Sequence, residues 1–294
     1  MEKKLILKSD VLNTFEKLGL KSGQVIMVHT SLSSIEQAKS EGYNEANAES
    51  KVCQDIILNL ISHSNLNRNI TIKGGVVMRS LSKNSRRATQ DIDFDFIKYP
   101  LTDDAILSFI DRLNYDDITV KATGNIEELR QQDYHGRRVH VVITDKNGYS
   151  LTSKIDIGVH KHFDIQQEEF CFDIGFDDDG ASLLINSKEQ MLTEKLRSIL
   201  KFGAFSTRYK DIYDIYYLSD KVDKAQLLKC FEILIFSDEG MRENNLSDVI
   251  RRVKSTFSNK NYISNLSTSR KNWLGVDNNT VINGIIVFLS NLNL

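Results

Sequence analysis

Residues 70–97, ITIKGGVVMRSLSKNSRRATQDIDFDFI, restrict the fold more than any other part of this 294-residue chain. Ile70 and Ile72 alternate with Thr71 and Lys73, the period of a short strand. Gly74 and Gly75 end that strand, and residues 76–81 read as one or two helical turns. After a basic turn with Lys83, Arg86 and Arg87, strict alternation returns. Asp91, Asp93 and Asp95 point one way; Ile92, Phe94 and Phe96 point the other. One face of this second strand is core, and the other carries carboxylates.

That acidic face needs a chemical reason. Like charges on one strand face repel and raise each other's pKa unless a cation lies between them. Mg²⁺, or Mn²⁺ in its place, meets that need, because a hard cation takes carboxylate oxygens and keeps triphosphate oxygens as further ligands. The glycine pair supplies the other half of a site: a strand, a glycine turn and a helix N-terminus aim backbone N–H groups at one point, which suits a phosphate. Glycine also allows close backbone approach. Together these parts describe metal-dependent phosphoryl or nucleotidyl transfer. A solvated acidic edge strand would account for Asp91 and Asp93 alone, but not for the glycine pair and the core face behind them.

Composition sets limits. Apolar residues make up 40% and charged residues 27%, ordinary for a globular protein. The net charge of −2 gives no molecule-wide basic field, so any nucleic-acid contact must use a local patch. Cys53, Cys171 and Cys230 are scattered and form no C-x-x-C pair. This argues against a disulfide framework and a zinc site, and places the chain in a reducing cytoplasm. No apolar run reaches membrane-spanning length, and Leu5-Ile6-Leu7 is too short for a signal-peptide core.

Along the rest of the chain, residues 36–50 read as a linker or as the start of the next helix, and residues 52–61 as helix. Residues 103–113 also have helical spacing. Residues 118–122 and 126–129 read as extended segments or a short connector, and 139–144 with 151–159 as a hairpin turning at 145–148. If the second hairpin strand lies beside residues 91–97, Asp156 becomes a third carboxylate; the alternative is a surface pair with Lys154. The acidic run 163–179 reads as a solvated loop near a domain boundary. Ser187 with Gln190 forms a capping-box signature for a helix whose apolar stripe contains Lys195. A lysine in that position either snorkels or meets an anion. On the next helix, Arg208, Asp211 and Asp214 are spaced to share one face. Residues beyond 220 read as mostly helical.

The string KGG…RRATQDIDFDF resembles the first motif of the AbiEii/AbiGii nucleotidyltransferase toxins, bacterial members of the DNA polymerase β-like nucleotidyltransferase superfamily. A second match, EKLRSILKFGAFSTRYKDIYDIYYL at 194–218, resembles that family's later Lys-bearing and Arg-Asp-x-x-Asp helices. The resemblance spans roughly residues 52–218 and departs from the family at Val76, where a small residue is usual. It implies an α/β (α+β) nucleotidyltransferase fold with a mixed β-sheet, followed by a mostly helical C-terminal domain. The implied units are a core domain at 51–180 and a helical domain at 181–294.

The resemblance also implies site roles. Asp91, Asp93 and Asp156 would hold Mg²⁺. Gly74, Gly75, Lys195 and an arginine such as Arg79 or Arg87 would hold the NTP, with Arg208 and Thr89 beside it. Asp211 would position the substrate or Lys195. Thr89 sits where some relatives carry a modifiable Ser or Thr. The implied activity is transfer of an NMP to an acceptor, a tRNA 3′ end being the natural one, by the toxin of a toxin–antitoxin or phage-defence pair whose antitoxin is a separate protein. Separately, residues 1–35 resemble the opening of aminoglycoside 3-N-acetyltransferases. The readings that compete are a small-molecule acceptor such as an aminoglycoside, a non-catalytic binding protein, and acetyl transfer.

Overall fold

A computed structural model describes residues 34–114, 118–129, 136–145 and 148–293. The acetyltransferase-like segment, with its expected helix near Val11–Leu18 and its strand ending at His29, lies outside the described residues apart from positions 34 and 35. The tip of the 145–148 turn also lies outside them.

Residues 36–50 are largely helical. A helix covers 34–40, and α1 (Glu45–His63) opens where the Asn44 side chain accepts from Asn47 N–H at 3.0 Å. Ile35 and Ala38 are buried in the main core, so this segment packs rather than bridging through solvent. The glycine motif then forms β1 (Ile70–Lys73) and α2 (Gly74–Ser82), and the acidic repeat forms β2 (Ile92–Phe96). A short helix α3 (Asp103–Asp111) follows, capped by Thr102.

Five more strands join β1 and β2 in one mixed sheet. These are β3 (Ile118–Leu129), β4 (Gly136–Asp145), β5 (Ser150–Val159) and the pair β6 (Glu168–Ile174) and β7 (Asp177–Ile185). The order is β3-β4-β5-β2-β1-β7-β6, with β2–β5 and β1–β7 parallel and the other neighbours antiparallel. The two extended segments expected at 118–129 are one strand with a register shift between Thr123 and Glu127. Residues 163–167 of the acidic run are turn and coil, but from Glu168 on it is strand: Glu169, Asp173, Asp178 and Asp179 take exposed positions of the β6–β7 edge pair, while Phe172, Ile174, Ala181, Leu183 and Ile185 face the core.

The apolar side of β2 is fully buried. Phe94 and Phe96 meet Phe109 of α3 at centroid distances of 5.5 and 5.4 Å, in the edge-on geometry aromatic quadrupoles prefer. Val76 is buried in this core, so the residue after the glycine pair faces inward.

The C-terminal region is helical: α4 (Lys188–Phe202), α5 (Tyr209–Leu218), α6 (Lys224–Phe231) extended by a π-turn at Glu232–Phe236, α7 (Leu246–Phe257), α8 (Lys260–Thr268) and α9 (Asn278–Ser290). At α4 the capping box is half made. Ser187 accepts from Gln190 N–H at 3.1 Å, but the Gln190 side chain donates forward to Glu194 at 2.9 Å. No helix of the described residues is long and apolar enough to cross a membrane.

Candidate active site

Sheet register assembles the acidic face. Asp93 of β2 pairs with Asp156 of parallel β5 and, on its other side, with Lys73 of β1. Asp91 lies two residues earlier on the same side, so three carboxylates from two strands share one surface. Their electrostatics differ. Burial raises the Asp93 carboxyl from 3.8 to about 6 against the pull of Lys73, with Asp156 and Asp91 adding to the rise and Arg208 opposing it. Asp156 is held by Arg138 of β4, whose Nε and Nη2 both donate at 2.7 Å, a bidentate pair. Arg138 and Lys154 each stand 3.8 Å from Asp91.

Asp95, on the same strand face, is turned to another task. It is buried and accepts from Lys73 Nζ at 2.5 Å. Burial alone would lower the Lys73 pKa, yet Asp95 and Glu194 raise it well above the usual lysine range. Gly158 of β5 leaves the room this pair needs, since a Cβ there would overlap Asp95 Oδ1. Nothing in the β2 alternation separates Asp95 from Asp91 and Asp93; only its cross-strand neighbours do.

The glycine pair makes the second wall. Gly74 adopts φ +69°, and a Cβ there would lie 2.5 Å from Asp93 Oδ2. A Cβ on Gly75 would lie 2.6 Å from Thr89, so Thr89 seats against the glycine; its carbonyl accepts from Gln54 at 2.9 Å. Among the α-helices from α1 onward, only α2 and α5 begin without a side-chain cap. Both belong to the two motifs; at α5 the Tyr209 and Asp211 N–H groups donate to Thr207 O and Arg208 O, whereas at α2 the first N–H groups are left for another acceptor.

The second motif closes against the first. Asp214 of α5 is fully buried and accepts from Arg87 through two bonds of 2.6 and 2.7 Å, from Trp273 Nε1 at 3.0 Å, and pairs with Lys195 at 2.8 Å. Burial would raise its pKa, but Lys195 and Arg87 bring it down to about 2. Lys195 also reaches Asp211 at 3.2 Å, and Asp211 pairs with the exposed Arg208 at 2.8 Å. The lysine within the apolar stripe therefore neither snorkels nor stands unpaired. Lys210 donates to Ala88 O at 2.8 Å, and burial, then Arg87 and Lys271, lower its pKa. Lys195, Arg87, Arg208 and Lys210 thus face two carboxylates, Asp211 and Asp214, a net positive field beside the acidic strand.

Arg79 lies elsewhere: it is buried against α1, 3.6 Å from Asp55, which Lys51 also binds at 2.6 Å. Arg138, Lys73 and Lys210 were missing from the sequence reading. Arg138 becomes visible only once β4 is paired with β5, where it stands opposite Asp156.

The donor set suits a hard divalent cation. Asp91 Oδ1 is buried and accepts no hydrogen bond, and Asp93 is pushed toward neutrality by burial and, less, by Asp156 and Asp91. One cation touching both would relieve both. Arg138 engages both Asp156 oxygens, and among the described residues no three His, Cys, Asp or Glu side chains form a ready-made metal group. Mg²⁺ does not require one, since it is commonly held by one or two carboxylates together with substrate phosphates and water.

The fold and this site define a nucleotidyltransferase. Residues 56–267 match the family described as nucleotidyl transferase AbiEii toxin, type IV toxin–antitoxin system, and the chain belongs to that family. No curated protein matches the sequence significantly. Among solved structures it is similar to an antigenic nucleotidyltransferase-like protein from Paracoccidioides brasiliensis, at 16% identity and a TM-score of 0.46, covering 74% of this chain and 91% of that one.

Proposed function

We propose that the face carrying Asp91 and Asp93 takes an NTP with Mg²⁺ and passes its NMP to the 3′ end of a tRNA, releasing pyrophosphate, as the growth-arresting half of a toxin–antitoxin pair that acts in phage defence. The observation that carries this reading is Asp93. Its carboxyl is raised to about 6 by burial and by the two carboxylates beside it, directly against a glycine that opens an uncapped helix.

Asp91 and Asp93 would hold the ion, which when bound draws charge from the phosphoryl group under attack and from the departing pyrophosphate. The free N–H groups at the start of α2 receive phosphate oxygens, and Gly74 lets them approach. Arg87, Lys195, Lys210 and Arg208 supply the positive field for the triphosphate. Asp214 fixes Arg87 and Lys195 in place, and Asp211 orients Arg208. Arg138 holds Asp156 beside Asp93 and offsets part of its charge. A separate antitoxin protein is the partner this family setting calls for, and the reaction belongs in the cytoplasm, where tRNA and NTPs are.

Expression of the chain in a bacterial host tests the proposal. Growth should arrest, and Asp93→Ala at equal protein level should remove the arrest. Arrest that survives the substitution would overturn the site assignment. Aminoglycoside resistance without arrest would move the acceptor to a small molecule.

A further inference from the structure

The turn joining the two helices of the second motif presents an aromatic ring to solvent beside the site. Phe205 is 92% exposed and ends the short 3₁₀ turn Gly203–Phe205 between α4 and α5. Isolated exposed apolar side chains are common; this one differs in how firmly it is held and in what surrounds it. Gly203 has φ +54°, and a Cβ there would lie 2.6 Å from Arg252 Nη2 of α7. Arg252 Nε donates to Leu200 O at 3.1 Å, which ties α7 to the end of α4. Ser206, next in the chain, is buried, and its N–H donates to Gly203 O at 3.0 Å. The backbone is anchored on both sides of Phe205 while its ring stays out of the core.

Cations border the turn. Arg252 lies against Gly203, and Arg208 follows Phe205 three residues later with its side chain 65% exposed. Arg208 pairs with Asp211 at 2.8 Å, which Lys195 also reaches at 3.2 Å, so the turn leads into the cationic wall of the site. Three residues of chain place the Phe205 Cα within about 11 Å of that of Arg208. An exposed ring on an anchored turn, with arginines close by in the chain and in the turn, is suited to stack a nucleobase while the cations take its phosphates.

We propose that Phe205 is a stacking platform for a nucleobase at the mouth of the site, an inference that rests on the nucleotidyl-transfer reading for which base it meets. The base comes from the acceptor strand or from the incoming nucleotide. Phe202 at the end of α4 is also exposed, but Arg208 and Arg252 border the turn, whereas the centres of protein interfaces are depleted of charge.

The test uses the full chain with Phe205→Trp and Phe205→Ala. The protein has one tryptophan, Trp273, which is buried and donates to Asp214, so Phe205→Trp adds an exposed reporter and the wild type titrated in parallel gives the response of Trp273 itself. Titration with single-stranded oligoadenylate and, separately, with Mg–ATP reads stacking without requiring turnover. Saturable quenching by the oligonucleotide assigns the platform to the acceptor; quenching by Mg–ATP alone assigns it to the nucleotide. Phe205→Ala should then weaken binding of that same ligand about 5- to 100-fold, with Phe205→Trp restoring it. Unchanged fluorescence with both ligands, together with unchanged binding by Phe205→Ala, would overturn the proposal, as would quenching only by a protein partner. Because these titrations do not depend on catalysis, failed transfer by the wild type would count against the transfer reading and not against the platform.

Discussion

Replacing Asp93 by asparagine should stabilise the protein in the absence of divalent ions. The amide keeps the shape of the carboxyl and removes its charge. The folded-state pKa of about 6, against 3.8, corresponds to about 3 kcal/mol at ~1.4 kcal/mol per unit, and partial contact with solvent trims this to about 2 kcal/mol. The pH dependence follows from the direction of the shift. Between pH 3.8 and about 6 the native state binds the proton more tightly than the unfolded chain does, so this group's contribution falls as pH rises through that window and is flat above it. Asparagine does not titrate. Its advantage should therefore be full at pH 7.5, about 5 °C in Tm for a chain of this size, should fall to about a third of that near pH 4.5, and should vanish only below pH 3.8. Thermal melts in EDTA at both pH values measure it, and added Mg²⁺ should narrow the gap by stabilising only the wild type. A lower Tm for Asp93→Asn at pH 7.5, or the same difference at both pH values, would refute the reasoning.

Other substitutions probe the remaining walls of the site. Gly74→Ala forces a Cβ toward Asp93 at positive φ; it should cost about 1–2 kcal/mol in a denaturant melt and lower transfer by at least tenfold. Arg138→Ala frees the Asp156 charge beside Asp93, so the acidic limb of a pH–rate profile should move to higher pH. Asp214→Ala strands Lys195 and Arg87 in the core and should destabilise by about 3–5 kcal/mol. In the wild type the Asp214 contribution is present above pH 3.8 and is lost as pH falls toward 2, which acid titration by circular dichroism would follow.

The parts of this fold that sequence shows are those with local periodicity. β1, α2 and β2 are legible because alternation switches to a glycine stop and back within one short stretch. Lys195 is legible as an anomaly, a charge inside an apolar stripe. What sequence hides is long-range register. Arg138 sits in GRRVHV, where two adjacent arginines look alike until the β4–β5 pairing puts Arg138 against Asp156 and Arg137 opposite Ile157. Asp95 looks like a third member of the acidic repeat until Lys73 and Gly158 are seen beside it. The β6–β7 pair is obscured because it puts Glu169, Asp173, Asp178 and Asp179 at exposed positions, so its apolar face is only a few residues deep.

Transfer of an NMP to RNA is read out by incubating the purified protein with each α-³²P-labelled NTP, Mg²⁺ and total bacterial RNA, with Asp93→Ala in parallel. Label should enter tRNA-sized RNA from at least one nucleotide, and none should enter with the variant. Label that persists in Asp93→Ala, or a wild type that labels no RNA with any nucleotide, would contradict this reading.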